Sequence, residues 1–374
     1  MTSTSFLAMR VMSSPASYLL SHYLRGEFLR LFCLCLLTFL CLYLIVDFFD
    51  RFDTFLKHAA PTLTLVRYFL FKLPLIVTQM VPAAVLTGSL LSLGLLARRN
   101  ELMALFACGV SLWQIARPLL GTAALLSLGT LVWNETVVPY CFHQSRHIST
   151  VEIKKKAFKG LFHEKGFWYH GNKAFYHIDH FDSRQQVLFG LTIYTLDDNF
   201  QVRSLIRVPA ARWQEEGWHL DRAEETRFTS DGQVTIRSLG ADGISLSETP
   251  EDFALVERVA EEFSYWQLRV YIQSLQRRGL STTEYQVDLH LKLALPCTAM
   301  VMALIGIALA VSSRKRLGLA TAFSLALTVG FGYWVVLALA VSLGHSGSLH
   351  PLIAAWVSNV IATLLGMFFF LGAD

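Results

Sequence analysis

Long uncharged stretches constrain this chain more than any other feature of its sequence. Residues 73–97, 293–313, 317–344 and 351–373 contain no Asp, Glu, Lys or Arg. A helix needs about 20 apolar residues to cross the roughly 30 Å hydrocarbon core of a bilayer. These stretches predict four membrane-spanning helices and argue against a soluble fold.

Two further apolar regions predict two more spans. Residues 31–46 are extended by flanking aromatic and aliphatic side chains. The region 102–134 is too long for one span and too short for two, so we divide it. Residues 98–109 are then a short helix at the membrane interface, and 112–133 form a span whose Arg117 reaches toward one end. The chain is thus predicted to be an α-helical membrane protein with six spans, three before and three after a polar block.

Short-loop Lys and Arg residues orient such a protein, because they stay in the cytoplasm during insertion. In a six-span arrangement with both termini inside, all three basic clusters fall on one side. These basic clusters are Arg10, Arg25 and Arg30; Arg98 and Arg99; and Arg314, Lys315 and Arg316.

We interpret residues 1–17 as a disordered leader, with Met1, Met9 or Met12 as the start, and the first span as a retained anchor.

The polar block lies outside in this topology. It is the charge-rich part of the chain, since 41 of the 60 charged residues lie between Asn134 and Lys292. Short apolar runs separated by turn residues such as 197–199 and 231–232 predict antiparallel β structure, sandwich or barrel-like, within 134–262. The segment 263–290 is predicted to begin with a helix on the outer membrane surface, before the last three spans in 291–374.

Several function classes lack support in the sequence. The net charge of +4 includes no basic stripe dense enough for nucleic acid. No GxxxxGK[ST], GxSxG or HExxH motif is present, so the chain has no Walker A site and no recognisable catalytic constellation. The six cysteines form no CxxC pair, and His143 with His147 lacks a third nearby ligand, so we expect no bound metal or cofactor.

The segment from Arg98 and Arg99 to Gly109 has the features of a short capped helix. Asn100 suits the N-cap position, Glu101 places a negative charge in the first turn, and glycine ends the helix. Leu102, Leu105 and Phe106 fall on one face. The pattern fits an ordinary interfacial helix as well as a docking helix.

The second span carries a ridge of small side chains at Ala84, Gly88 and Ser92, with Pro82 able to bend the helix. Close helix packing and a substrate path both fit this pattern, and packing is favoured.

Charged residues cluster beyond the first span, at Asp47, Asp50, Arg51 and Asp53. Such residues are usually solvated. The alternative is that a set of four cations contacts an anionic lipid head group. That set is Arg51, Lys57, Arg67 and Lys72.

These features together resemble the LptF/LptG family of lipopolysaccharide-export permeases. The resemblance is carried, in order, by Leu73-Pro74, Val81 to Gly88, Leu93 to Ala97, Glu101 to Ser111, and Leu291 to Gly306. Leu93 to Ala97, and Ala354-Ala355-Trp356 in the last span, look more like the LptG branch.

The resemblance implies a permease subunit of an ABC transporter in the bacterial inner membrane. It implies an LptF-like second permease, two copies of an LptB-like ATPase that uses ATP and Mg²⁺, and LptC- and LptA-like periplasmic proteins that receive lipopolysaccharide. The polar block would be a periplasmic β-jellyroll, and 98–109 the helix that couples to the ATPase. Glu101 occupies the family's acidic position, and Asn100 replaces its common serine. Asp47 stands where some relatives carry a basic residue, so Arg51 or Lys57 is expected to contact phosphate instead.

Three other functions fit parts of the pattern. The chain could anchor a periplasmic binding or scaffold domain, or export another lipid or a lipoprotein. An intramembrane enzyme would need polar groups in its spans, and Gln79 is the only strongly polar side chain between Leu73 and Ala97.

Overall fold

Helices at both ends of the chain flank a central group of strands. The computed structural model describes residues 15–58, 61–153, 160–163, 166–170, 174–182, 186–196, 202–214, 217–228, 234–239, 262–277, 281–312 and 319–372. The chain divides into a helical unit, Met1–Ser145 with Ala260–Asp374, and a β unit, Arg146–Val259. Most of the predicted leader, the basic cluster 314–316 and the turn residues 197–199 and 231–232 lie outside the described residues.

Six helices are long and apolar enough to cross a membrane, which confirms the six-span prediction. The described residues also contain a seven-residue helix between the second and third spans, a 13-residue helix before the fourth, and a π-helical segment Ile148–Ile153 after the third. In chain order the helices are α1 Pro15–Lys57, α2 Thr62–Arg98, α3 Glu101–Ala107, α4 Leu112–His147, α5 Tyr265–Arg277, α6 Thr283–Ser312, α7 Leu319–His345 and α8 Pro351–Leu371.

Helix α1 is longer than its uncharged stretch. Its 43 residues correspond to about 65 Å at 1.5 Å per residue, twice the thickness of the hydrocarbon core. Asp47 and Asp53, which we expected beyond the end of the first span, therefore lie within its helix. A helix satisfies its backbone hydrogen bonds internally, so leaving the membrane does not by itself end it.

Helix α4 also continues beyond its predicted end at residue 133, into the region predicted as β domain. It runs to His147, and the β unit begins at Arg146. Tertiary contacts stabilise the extension, because Val138 is buried and the Glu135 carboxylate accepts a hydrogen bond from the backbone N–H of Tyr265, at 2.9 and 3.0 Å from its two oxygens. The start of α5 is thereby fixed to α4.

The helical unit is organised around α2. In the most apolar 18-residue segment of α2, 72% of the residues are buried inside the protein, whereas in the corresponding segment of α1 only 11% are buried. The predicted small ridge lies on the buried face of α2, with Pro82, Ala84, Gly88 and Ser92 all buried. A methyl group at Gly88 would lie 3.0 Å from the Phe32 Cα of α1, so any larger residue would push the two helices apart by a few tenths of an ångström.

The β unit is an antiparallel sheet, as predicted. The strands are β1 Gly160–His163, β2 Gly166–His170, β3 Ala174–Ile178, β4 His180–Asp182, β5 Val187–Leu196, β6 Val202–Gln214, β7 Gly217–Asp221, β8 Ala223–Phe228 and β9 Val234–Leu239. Their order in the sheet is β1-β2-β3-β5-β6-β8-β9, with β4 also paired to β5 and β7 to β6. Alternate residues such as Ile206 and Val208 are buried in a core shared with Trp218.

Candidate functional site

The short helix α3 ends in a hydrogen-bonded glycine cap. The backbone N–H of Gly109 donates to the Phe106 carbonyl at 2.9 Å, and that of Val110 donates to the Leu105 carbonyl at 3.1 Å. These two bonds define a Schellman motif, in which the residue after the helix adopts a left-handed conformation. Gly109 has φ +80°, so the chain turns here at little steric cost and enters α4.

The start of α3 differs from the sequence-based prediction. Asn100 occupies the N-cap position, but it adopts a left-handed conformation with φ 61°, and its side chain does not cap the helix. Asparagine tolerates this conformation better than most residues. The residue is therefore suited to the tight turn between α2 and α3, and Glu101 supplies the negative charge in the first turn.

The apolar face of α3 is divided between two environments. Leu102 is only 6% exposed and belongs to the core of the helical unit, and Leu105 packs against that core. Met103 is 69% exposed and Phe106 36%. The three residues predicted to share one face, Leu102, Leu105 and Phe106, are thus divided, because the two leucines hold α3 onto the spans. Met103 and Phe106 form the exposed apolar surface.

The Glu101 carboxylate lies beside the start of α1. Tyr23 donates a hydrogen bond from its Oη to Glu101 Oε2 at 2.7 Å. The guanidinium of Arg99 lies 3.9 Å from Glu101 Oε1 and 3.9 Å from Glu27 Oε1. Arg98 is the last residue of α2 and is exposed. Sequence reasoning missed Tyr23 and Glu27, since nothing local in α1 marks them.

A second polar cluster joins α1 to α2 at the opposite end. Lys72 Nζ donates to both oxygens of Asp47, at 2.7 and 2.6 Å, and the two side chains are 10% and 11% exposed. Arg51 Nε donates to Asp47 Oδ1 at 3.2 Å. Both cations lie 5.6 Å from the ring centroid of Tyr68. Asp47 is therefore an ion-pair partner of α2 with little exposed surface.

The four predicted head-group cations therefore differ in accessibility. Lys72 is committed to Asp47, whereas the Arg51 side chain remains 42% exposed. Lys57 and Arg67 are exposed residues of α1 and α2.

The sequence also gave no sign of a buried hydrogen-bond network among the last three spans. Asn359 Oδ1 accepts from Tyr333 Oη at 2.9 Å and from Thr298 Oγ1 at 3.1 Å. Its Nδ2 donates to the Ala294 carbonyl of α6 at 2.8 Å. One amide of α8 thus connects α6 and α7 in an environment where polar groups need partners.

A cavity of about 160 Å³ lies next to this network, between α2, α4, α6 and α7. Thr298, Tyr333 and Gln79 are among its lining residues, most of which are apolar. No group of three or more His, Cys, Asp or Glu suited to a metal ion is found in the part of the chain that the structure describes.

The match to known families covers both units. The model of the family described as "Lipopolysaccharide export system permease LptF/LptG" matches residues 22–372. The chain belongs to the LptF/LptG family. This confirms the resemblance read from the ordered motifs, and the match begins next to Tyr23 and contains the whole of α3.

Individual relatives in the LptF/LptG family carry the name LptG. The chain is 26% identical over 265 residues to "Lipopolysaccharide export system permease protein LptG" of Escherichia coli strain K12. This alignment covers 70% of the present chain and 72% of the relative. The chain is 24% identical over 290 residues to the protein of the same name from Haemophilus influenzae, covering 76% and 79%. Both alignments span more than two thirds of each protein.

Proposed function

We propose that this chain is the LptG-type permease subunit of an ABC transporter that extracts lipopolysaccharide from the inner membrane and passes it to a periplasmic bridge. The family match over residues 22–372 carries this proposal. The partners are an LptF-like second permease, an LptB-like ATPase dimer that binds ATP and Mg²⁺, and LptC- and LptA-like acceptors. The chain itself does no covalent chemistry.

In this arrangement the α3 end of the helical unit faces the cytoplasm. Arg25, Arg98 and Arg99 lie at that end, as the positive-inside rule requires. The β unit then lies in the periplasm, where it receives the lipid.

Helix α3 is the element that docks on the ATPase. Met103 and Phe106 present an apolar surface beyond the membrane spans, while Leu102 fixes the helix to them. An exposed apolar patch with a rigid base suits a protein partner. Closure of the ATPase dimer would displace α3 and, with it, the spans.

The lipid cavity forms between the two permeases. Helices α1 and α7 have apolar windows that are only 11% and 28% buried, so most of their apolar surface faces outward. These faces accommodate acyl chains or the second permease. Arg51 and Lys57 are the phosphate contacts we favour, because both are accessible, whereas the Lys72 side chain is only 10% exposed and is held by Asp47. A change of shape then lowers the affinity of the cavity for the lipid.

The decisive experiment uses the complex purified with its native partners and reconstituted in proteoliposomes. The wild-type chain should retain the ATPase subunit and transfer lipopolysaccharide to an LptA-like acceptor on addition of ATP. A membrane-anchored scaffold protein would retain no ATPase, and an exporter of another lipid or a lipoprotein would transfer no lipopolysaccharide. Either result would refute the proposed function.

The docking surface is tested by Phe106→Asp. A carboxylate buried in an apolar interface costs several kcal/mol, so ATPase retention should fall by about tenfold or more. Gln273→Asp, on an exposed position of α5, is the matched control. Full retention by Phe106→Asp would show that α3 is not the docking element.

A further inference from the structure

The first span packs against the helical unit over its first half and is only lightly covered beyond it. Its most apolar 18-residue segment is only 11% buried, the lowest value among the six candidate spans in the described residues. The buried residues of the first half are Leu24, Phe28, Phe32 and Cys35. No residue of α1 between Cys35 and Phe55 is buried, and in this stretch Asp47 pairs with Lys72 of α2. A continuous helix with so few buried residues in its second half is suited to transmit a displacement along its length.

The attachment at the α3 end has an apolar and a polar part. Leu24 and Phe28 belong to the same buried cluster as Leu102 of α3. Tyr23 and Glu27 are spaced by four residues, so they lie on one face of α1 beside these buried positions. From this face the Tyr23 Oη reaches the Glu101 carboxylate at 2.7 Å.

Both oxygens of Glu101 face groups of its own chain. Oε2 accepts from Tyr23, and Oε1 lies 3.9 Å from Arg99, which also approaches Glu27. The Arg99 side chain is 54% exposed, so its ion pairs are screened and contribute little. A hydrogen bond to an ionised carboxylate is short and stronger than a neutral one. Tyr23 is itself 44% exposed, but at 2.7 Å its hydrogen bond is a direct polar contact between α1 and α3, whereas the Arg99 contacts are at 3.9 Å.

We propose that Tyr23 is a positioning residue, which holds the Glu101 carboxylate and joins the first span to the coupling helix. This inference rests on the proposed function. When the ATPase displaces α3, the Tyr23–Glu101 bond carries the displacement into α1, the wall of the lipid cavity. Glu101 then acts inside the permease, as the link between α3 and the first span.

The test is Tyr23→Phe, which removes one oxygen and keeps the ring. Its matched control is Tyr18→Phe, in the same helix at a residue that is 69% exposed. The measured quantity is lipopolysaccharide transferred to the acceptor per ATP hydrolysed, in proteoliposomes containing the full complex. We expect this ratio to fall about fivefold in Tyr23→Phe, as for loss of one partly exposed hydrogen bond to a carboxylate. Tyr18→Phe should keep the wild-type ratio.

A double-mutant comparison separates positioning from a general structural role. If Tyr23 acts through Glu101, Tyr23→Phe has no further effect on the ratio in a Glu101→Ala background. Additive losses, or equal ratios in Tyr23→Phe and Tyr18→Phe, would overturn the inference. Absence of ATPase retention or lipid transfer in the wild-type complex would instead overturn the proposed function, so the two failures are distinguishable.

Discussion

The Asp47–Lys72 pair gives the sharpest test of how charge is used in the first span. Asp47→Asn keeps the shape of the side chain but leaves the Lys72 ammonium without its counter-ion. Removing one partner of a buried pair costs about 3–5 kcal/mol. Here both side chains keep about a tenth of their surface exposed. Lys72 can also extend toward water, so we expect a loss of about 2–3 kcal/mol in unfolding free energy.

The assay is equilibrium unfolding of the purified chain in mixed lipid–detergent micelles. The double variant Asp47→Asn/Lys72→Met removes both charges and should return to within about 1 kcal/mol of wild type. Arg51→Gln serves as the control, because that side chain is 42% exposed and its loss should cost less than about 1 kcal/mol.

One result would refute this reasoning. If Lys72→Met abolished lipopolysaccharide transfer while leaving the unfolding free energy unchanged, Lys72 would be a lipid ligand and not a structural partner of Asp47. The ion pair would then have to open during transport. Equal destabilisation in the single and double variants would also contradict the proposed pairing.

Three further predictions concern packing, each checked by unfolding in the same micelles. Asn359→Leu removes the amide that connects α6, α7 and α8. It should lower the unfolding free energy by about 2 kcal/mol, since interhelical hydrogen bonds average about 0.6 kcal/mol each. An unchanged unfolding free energy would mean that the network contributes nothing. Gly306→Ala places a methyl group against the Ser89 hydroxyl and 2.9 Å from the Leu86 carbonyl, and it should cost about 1–3 kcal/mol. Gly121→Ala, with nothing within 4 Å, should cost nothing. Equal effects would contradict the close approach of α2 and α6. Gly109→Ala forces φ +80° on a residue with a Cβ, so the unfolding free energy should fall by about 1–2 kcal/mol. An unchanged unfolding free energy would mean that the turn rearranges.

The six spans could be predicted because their signal is local. Four stretches of 20 or more uncharged residues are long enough to cross the bilayer, and the two shorter or interrupted apolar regions are recognisable in the same local way. The β unit was similarly recognisable from apolar runs separated by turn residues. The position of α3 followed from the charge at Glu101 and the glycine at 109, two local signals of a helix start and end.

The extent of the helices was less predictable than their existence. Hydropathy marks where a helix lies in hydrocarbon, but α1 and α4 continue well beyond that point. The continuation of α4 depends on Val138 entering the core and on Glu135 receiving the start of α5. Tyr265 and Glu135 are 130 residues apart, so no sequence window contains both.

The sequence alone therefore determined the six candidate membrane spans, the antiparallel β insertion, the short helix and the family. The tertiary structure decided which polar groups meet. Asp47 finds Lys72 across 25 residues, and Tyr23 finds Glu101 across 78. It also decided that Leu102 faces the core while Phe106 faces outward. The physical reason is that the hydropathy of a segment depends on that segment by itself. The hydrogen-bond and ion-pair partners of a side chain depend on how the helices pack against one another.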